Sequence, residues 1–216
     1  MIQPIEQALS ALCAIEVGAD YLAGAELIRA TLPEREGYWA RVPGLQLVAH
    51  YIQTAMPDMF DPLAPFGIRR PLRVLDVGPG PGFWLEFARE AGHEVEGAEL
   101  FPYSGLVQGY NAMTTDRGLN VGDQGFPPAS RGPYDVIHSR GSIGGVLAVH
   151  TPRARGPHRI LWFLDECESM LNPGGVVHVS HNAWDGMEEM ISVMEGHGLE
   201  FERIGEYDTR HRKIRA

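Results

Sequence analysis

One stretch of the chain combines residue types and spacing that can do chemistry. It reads Asp76-x-Gly78-x-Gly80-x-Gly82, between the strand-like run Arg73–Val77 and a helical pattern opened by Phe83, Trp84 and Leu85. Glycines in such a turn let backbone approach a ligand closely, because no Cβ intervenes. Helix N–H groups point at the same spot. Asp76 puts a carboxylate at the mouth of the turn, where it would repel a pyrophosphate and attract an ammonium. Glu99 ends the next apolar run, where a carboxylate can take both hydroxyls of a ribose. Asp123 follows the third run, where an acid can accept from an exocyclic amine.

The register excludes two common nucleotide loops. A G-x-G-x-x-G fingerprint starting at Gly78 would need glycine at 83, which is Phe83. Starting at Gly80 it would need glycine at 85, which is Leu85. A phosphate-gripping G-x-x-x-x-G-K-[ST] loop is excluded because no lysine follows. The three acids suit a ligand with an amine, a ribose bearing free hydroxyls and an adenine, but no phosphate. S-adenosylmethionine is such a ligand.

These residues need elements to hold them. Before Pro71 the pattern is helical: Ile5, Leu9, Leu12, Ile15, Ala19 and Leu22 recur at three- and four-residue steps, a helix stripe that Gly18 and Gly24 would weaken or split and Pro33 would end. A second helix is expected over residues 45–56, then a proline-rich connector to Pro71. After Pro71, strands are expected at 73–77, 93–100, 118–122, 134–139, 176–180 and 199–206. Helices are expected at 83–90, 104–113, 160–171 and 185–196, and the Asn-Pro-Gly-Gly stretch at 172–175 reads as a turn. Strands alternating with helices predict an α/β fold with a parallel sheet and right-handed crossovers. Ligands of such sheets bind beyond the carboxyl ends of the strands. The expected division is a helical cap over residues 1–70 and a cofactor-binding domain over residues 71–216.

From residue 73 to about 180 the chain resembles the class I S-adenosylmethionine-dependent methyltransferases. The features that carry the resemblance come in order: the VLDVGPGPG loop, the acid in GHEVEGAEL, the pair Gly122-Asp123, the run YDVIHS, and LNPGG before the fifth strand. The resemblance implies a Rossmann-like, doubly wound, mostly parallel seven-stranded sheet. It also implies that Asp76, Gly78, Pro79, Gly80 and Gly82 hold the methionine end of the cofactor and Glu99 the ribose. Asp123, with Gln124 beside it, would hold the adenine amine, Leu100 would lie on the adenine face, and Ser139 would line the sulfonium side. The chain departs from the usual pattern at Pro79 and Pro81, which stiffen the loop and remove two backbone donors.

Composition narrows the partners. Lys and Arg number 18 against 28 Asp and Glu, a formal charge of −10. That balance disfavours a nucleic-acid binder, which needs a basic stripe. The basic stretches at 153–159 and 210–215 read as a solvated loop and a frayed tail. The aromatic D/N-P-P-F/Y loop of many amino-directed nucleic-acid enzymes is absent after the fourth strand, where the chain reads Ser139-Arg140-Gly141-Ser142. No apolar run of membrane-spanning length occurs, the first residues lack a basic secretory region, and two cysteines, Cys13 and Cys167, fit a reducing cytoplasm.

For catalysis, histidine is a suitable base near neutral pH. His181 follows the fifth strand and His138 lies in the fourth. Strand alternation leaves His138 either a base at the mouth or a satisfied core residue. No metal-ligand pattern is present. Tyr38, Trp39 and Tyr51 could wall an acceptor pocket or pack the helical segment on the sheet. The expected function is methyl transfer to a small molecule. Two alternatives use the same residues: a reaction that consumes the cofactor and releases methylthioadenosine, and a non-catalytic cofactor-binding subunit.

Overall fold

In a computed structural model of the protein, the residues described are Gln7 and residues 18–31, 70–99, 105–116, 118–122, 125–140, 158–180, 187–204 and 208–213. The helix expected at 45–56 and the connector that follows it lie outside them.

Helix α1 covers Ala19–Thr31, starting after Gly18 and ending two residues before Pro33. It does not break at Gly24. A Cβ on Gly24 would lie 2.4 Å from the carbonyl oxygen of Gly109 and 2.9 Å from Met113 Cγ, both in the helix Gly105–Asp116 (α3). Gly24 is therefore the point where two helices touch, and close approach explains a residue that propensity alone reads as a break. Leu22, expected on the buried stripe, is 47% exposed.

The central strand β1, Arg73–Val77, is buried after its first residue. It leads into α2 (Phe83–Glu90), β2 (Glu94–Ala98), α3 and the two-residue β3 (Val121–Gly122). Then come β4 (Tyr134–Arg140), α4 (His158–Met170), β5 (Leu171–Ser180), α5 (Met187–Glu195), β6 (Glu200–Arg203) and β7 (Asp208–Arg212). The seven strands lie in the order β3-β2-β1-β4-β5-β7-β6. The first five are parallel, and β7 runs antiparallel between β5 and β6.

Two local expectations change. Residues 172–175 do not end an element. They form an irregularity inside β5, because Tyr134 pairs with Leu171 while Val136 pairs with Val176. Gly174 (φ 77°) supplies the left-handed residue, and its N–H donates to the Lys213 carbonyl at 2.8 Å. The second change is at the basic tail, which is not frayed through Arg212. Residues 208–212 form strand β7, with Thr209 and His211 fully buried and Arg210 donating to Glu202 at 3.2 Å. Reading the segment by its charge missed this alternation of buried and charged residues.

Alternation along the strands gives the sheet two unlike faces. Leu75, Val77, Ile137, Val177 and Val179 face the apolar layer of α4 and α5, with Phe163, Leu164, Cys167 and Met194 fully buried. Asp76, His138 and His178 have the opposite parity and stand side by side in register across β1, β4 and β5. At the amino ends of the same strands, Asp135 binds Arg70, the Arg73 amide and Asn172. Burial alone would raise its carboxyl, but those hydrogen bonds hold it below the ordinary range.

Gly24→Ala should therefore destabilise the protein. The helix-propensity gain is about 1 kcal/mol. Overpacking against a backbone oxygen costs about 1–3 kcal/mol. A lower urea midpoint than wild type is the expected result, and a raised one would show that α1 moves freely off α3.

Candidate cofactor site at the carboxyl ends of the central strands

The turn after β1 is built from glycines that residues with a Cβ would strain. Gly78, Gly80 and Gly82 have φ of 72°, 54° and 74°, in the left-handed region. Gly78 N–H donates to the Ala98 carbonyl at 2.9 Å, tying the turn to β2. Gly82 N–H donates to the Pro79 carbonyl at 2.9 Å, and Gly82 caps α2. Beneath the turn, Gly97 makes room for Pro79 and Leu85: a Cβ there would come within 3.1 Å of Pro79 Cγ and 2.9 Å of Leu85 Cδ1.

Two carboxyl groups flank this turn. Asp76 and Glu99 are both buried, at 4% and 5% exposure. Burial pushes the Asp76 carboxyl well above its usual range, and the charge on Glu99 pushes it further the same way. Two acids held this close favour a cation between or beside them.

Trp84, in the first turn of α2, stacks on His138 with ring centroids 4.2 Å apart. The His138 ring is fully buried, and its Nδ1 lies 3.0 Å from Nδ1 of His178. One ring must donate and the other accept, so the two rings are opposite tautomers when neutral. Burial holds His138 well below the ordinary histidine range, and repulsion from a protonated His178 ring or from the Arg140 guanidinium acts in the same direction. Its Nε2 has no hydrogen-bond partner among the described residues. His138 and Arg140 line one small cavity with Asp76, Gly78, Pro79 and Trp84.

The structure thus brings Asp76, the glycine turn, Glu99 and His138 to one end of the sheet. Ser139 is turned the other way: its hydroxyl donates to the Val77 carbonyl at 3.2 Å, and His138 and Arg140 border the cavity instead. Leu100, Asp123, Gln124, His181, Tyr38, Trp39 and Tyr51 lie outside the described residues. Sequence reasoning overlooked two residues, His178 and Arg140. Both could have been found from strand parity, since His178 pairs in register with His138 and Arg140 follows it by two residues on β4.

A family model for a methyltransferase domain matches residues 48–211. The chain belongs to that family, the S-adenosylmethionine-dependent methyltransferases, and S-adenosylmethionine is its cofactor. Solved structures share the fold. A methyltransferase from Pyrococcus furiosus is 16% identical over 87% of this chain and 96% of that one, with a TM-score of 0.51. Monomeric WbdD is 15% identical over 83% of this chain and 43% of that one, with a TM-score of 0.53. A search of the curated proteins finds no match.

The residues present fit this cofactor. Its methionine end carries an ammonium and a sulfonium, and the two buried acids disfavour their own joint ionisation until a cation arrives. The same physics fixes a pH dependence. A carboxyl whose folded pKa is raised supports the fold at low pH and loses that support as pH rises from its unfolded value through its folded one. Asp76→Asn should therefore raise the melting temperature of the cofactor-free protein at neutral pH, with the difference vanishing below about pH 4, near the unfolded aspartate pKa. Melting curves that differ equally at all pH values would contradict this.

Proposed function

We propose that the protein transfers the methyl group of S-adenosylmethionine to a small-molecule acceptor. The observation that supports this reading is the cavity beside the glycine turn, whose bordering residues Asp76, Trp84 and His138 are buried. The charge of −10 disfavours a polyanion as acceptor. Residues 1–70 act as a helical cap over the cofactor domain at 71–216. Tyr38, Trp39 and Tyr51 of the cap wall the acceptor. Cytoplasmic location rests on cysteine usage: Cys167 is free and buried, and no helix among the described residues is long and apolar enough to cross a membrane.

In this reading Asp76 takes the ammonium, Glu99 the ribose hydroxyls, and Asp123 with Gln124 the adenine amine. Leu100 lies against the adenine, and Ser139 contributes its backbone because its hydroxyl is committed to Val77. When bound, the cofactor supplies a methyl carbon already activated by a cationic sulfur. The chain has then to orient the acceptor, exclude water and accept a proton. His138 suits the last task. It is neutral, it borders the cavity, and donation of its Nδ1–H to His178 would leave a lone pair at Nε2. His181 is the second candidate base.

Product analysis tests the reading. Incubation with the cofactor and a metabolite extract should yield S-adenosylhomocysteine. Methylthioadenosine instead would mean a different reaction at the same sulfonium, and binding without turnover would make the chain a cofactor-binding subunit. Asp76→Ala and Glu99→Ala should each weaken cofactor binding by about 1.5–3 kcal/mol by calorimetry. Unchanged affinity in both variants would remove the site assignment. His138→Gln should lower kcat roughly 100- to 10,000-fold with cofactor affinity unchanged, and a normal kcat would pass the role to His181.

A further inference from the structure

The turn between β1 and α2 is poor in hydrogen-bond donors. Pro79 and Pro81 have no N–H. The Gly78 amide is committed to Ala98 and the Gly82 amide to Pro79. Within residues 78–82, Gly80 is the one residue whose amide has no backbone partner among the described residues. An α-amino acid moiety presents an ammonium and a carboxylate together. Asp76 can answer the ammonium, but it would repel the carboxylate, and neutral amides, Gly80 and those that open α2, offset a full charge only in part.

The same cavity is bordered by one cationic side chain among the described residues, Arg140. It is the last residue of β4, half-buried, and two residues beyond His138, so it shares the parity of His138 and Asp76. Its charge reaches the cavity, since it helps keep the His138 ring neutral. A guanidinium offers a planar fork of donors that matches a carboxylate.

We propose that Arg140 binds the carboxylate of the cofactor's amino-acid end, so that Asp76 and Arg140 together form a site for an α-amino acid zwitterion. This inference rests on the cofactor reading above and assigns Arg140 the positive charge that the glycine turn lacks. Asp76 pairs in register with His138 on the adjacent strand, and Arg140 lies two residues beyond His138, so an acid and a guanidinium border the same cavity.

The test is calorimetry on the full chain with three ligands. S-adenosylhomocysteine carries the whole amino-acid end, decarboxylated S-adenosylhomocysteine keeps the ammonium alone, and methylthioadenosine lacks both charges. Wild type should bind S-adenosylhomocysteine more tightly than methylthioadenosine. Arg140→Met should weaken S-adenosylhomocysteine roughly 10- to 100-fold while leaving the other two ligands unchanged. Retained methylthioadenosine binding shows that the variant is folded. Should that variant fail to fold, Arg140→Lys is expected to lower S-adenosylhomocysteine affinity selectively, because a point charge cannot match the fork. Equal loss of all three ligands in a folded variant, or no loss of any, overturns the proposal. A wild type that binds S-adenosylhomocysteine and decarboxylated S-adenosylhomocysteine equally overturns it too, while leaving the cofactor reading intact. A wild type that binds none of the three overturns the cofactor reading itself.

Discussion

The structure turns on one buried carboxyl group. β1 is central and, after Arg73, apolar except at Asp76, which sits near its carboxyl end with 4% exposure and the charge of Glu99 nearby. Burying an acid there costs stability that an apolar residue would not. The surroundings are arranged about that position. The strand stops one residue later, three left-handed glycines turn the chain over it, and α2 starts at once. A site that holds an unfavourable charge is complementary to a cation it has yet to bind, and S-adenosylmethionine brings two positive centres.

The second constraint is how α2 docks. Its N-terminal aromatic pair is buried, and Trp84 lies flat on His138, which in turn hydrogen-bonds His178. The helix therefore meets polar rings at Trp84, while Leu85, Phe87 and Ala88 bury apolar surface beside them. One face of the sheet is an ordinary apolar core. The other carries Asp76, His138, His178, Arg210 and Glu202 in a single register row from the central strand to the edge. The row is held by pairing along its length, at His138–His178 and Arg210–Glu202. Polar groups buried this way need such partners, so a substitution in that row removes hydrogen bonds as well as packing.

Much of this was legible in the sequence. The spacing of Asp76, Gly78, Gly80 and Gly82 located the turn, and the apolar runs located β1, β4 and the last half of β5, which are buried on both faces, as well as β2, which is buried only at its carboxyl end. The errors have physical causes. Gly24 reads as a helix breaker in isolation, but its role depends on a second helix 85 residues away at Gly109. The tail at 208–212 reads as basic, but β5 and β6 give its backbone partners on both sides. Residues 172–175 read as a turn, but β4 and Lys213 absorb them into a strand.

The sequence by itself determined the alternation of strands and helices, the position of the turn and the kind of ligand its acids suit. Those follow from local periodicity and from residue types a few positions apart. Only the tertiary structure decided which side chains share the cavity. His138 and Arg140 are separated from Asp76 by 62 and 64 residues, and strand order and register place them together. Ser139 shows the same rule in reverse. It adjoins both cavity residues in the chain, yet its hydroxyl is bound to Val77, because successive side chains of a strand point to opposite faces.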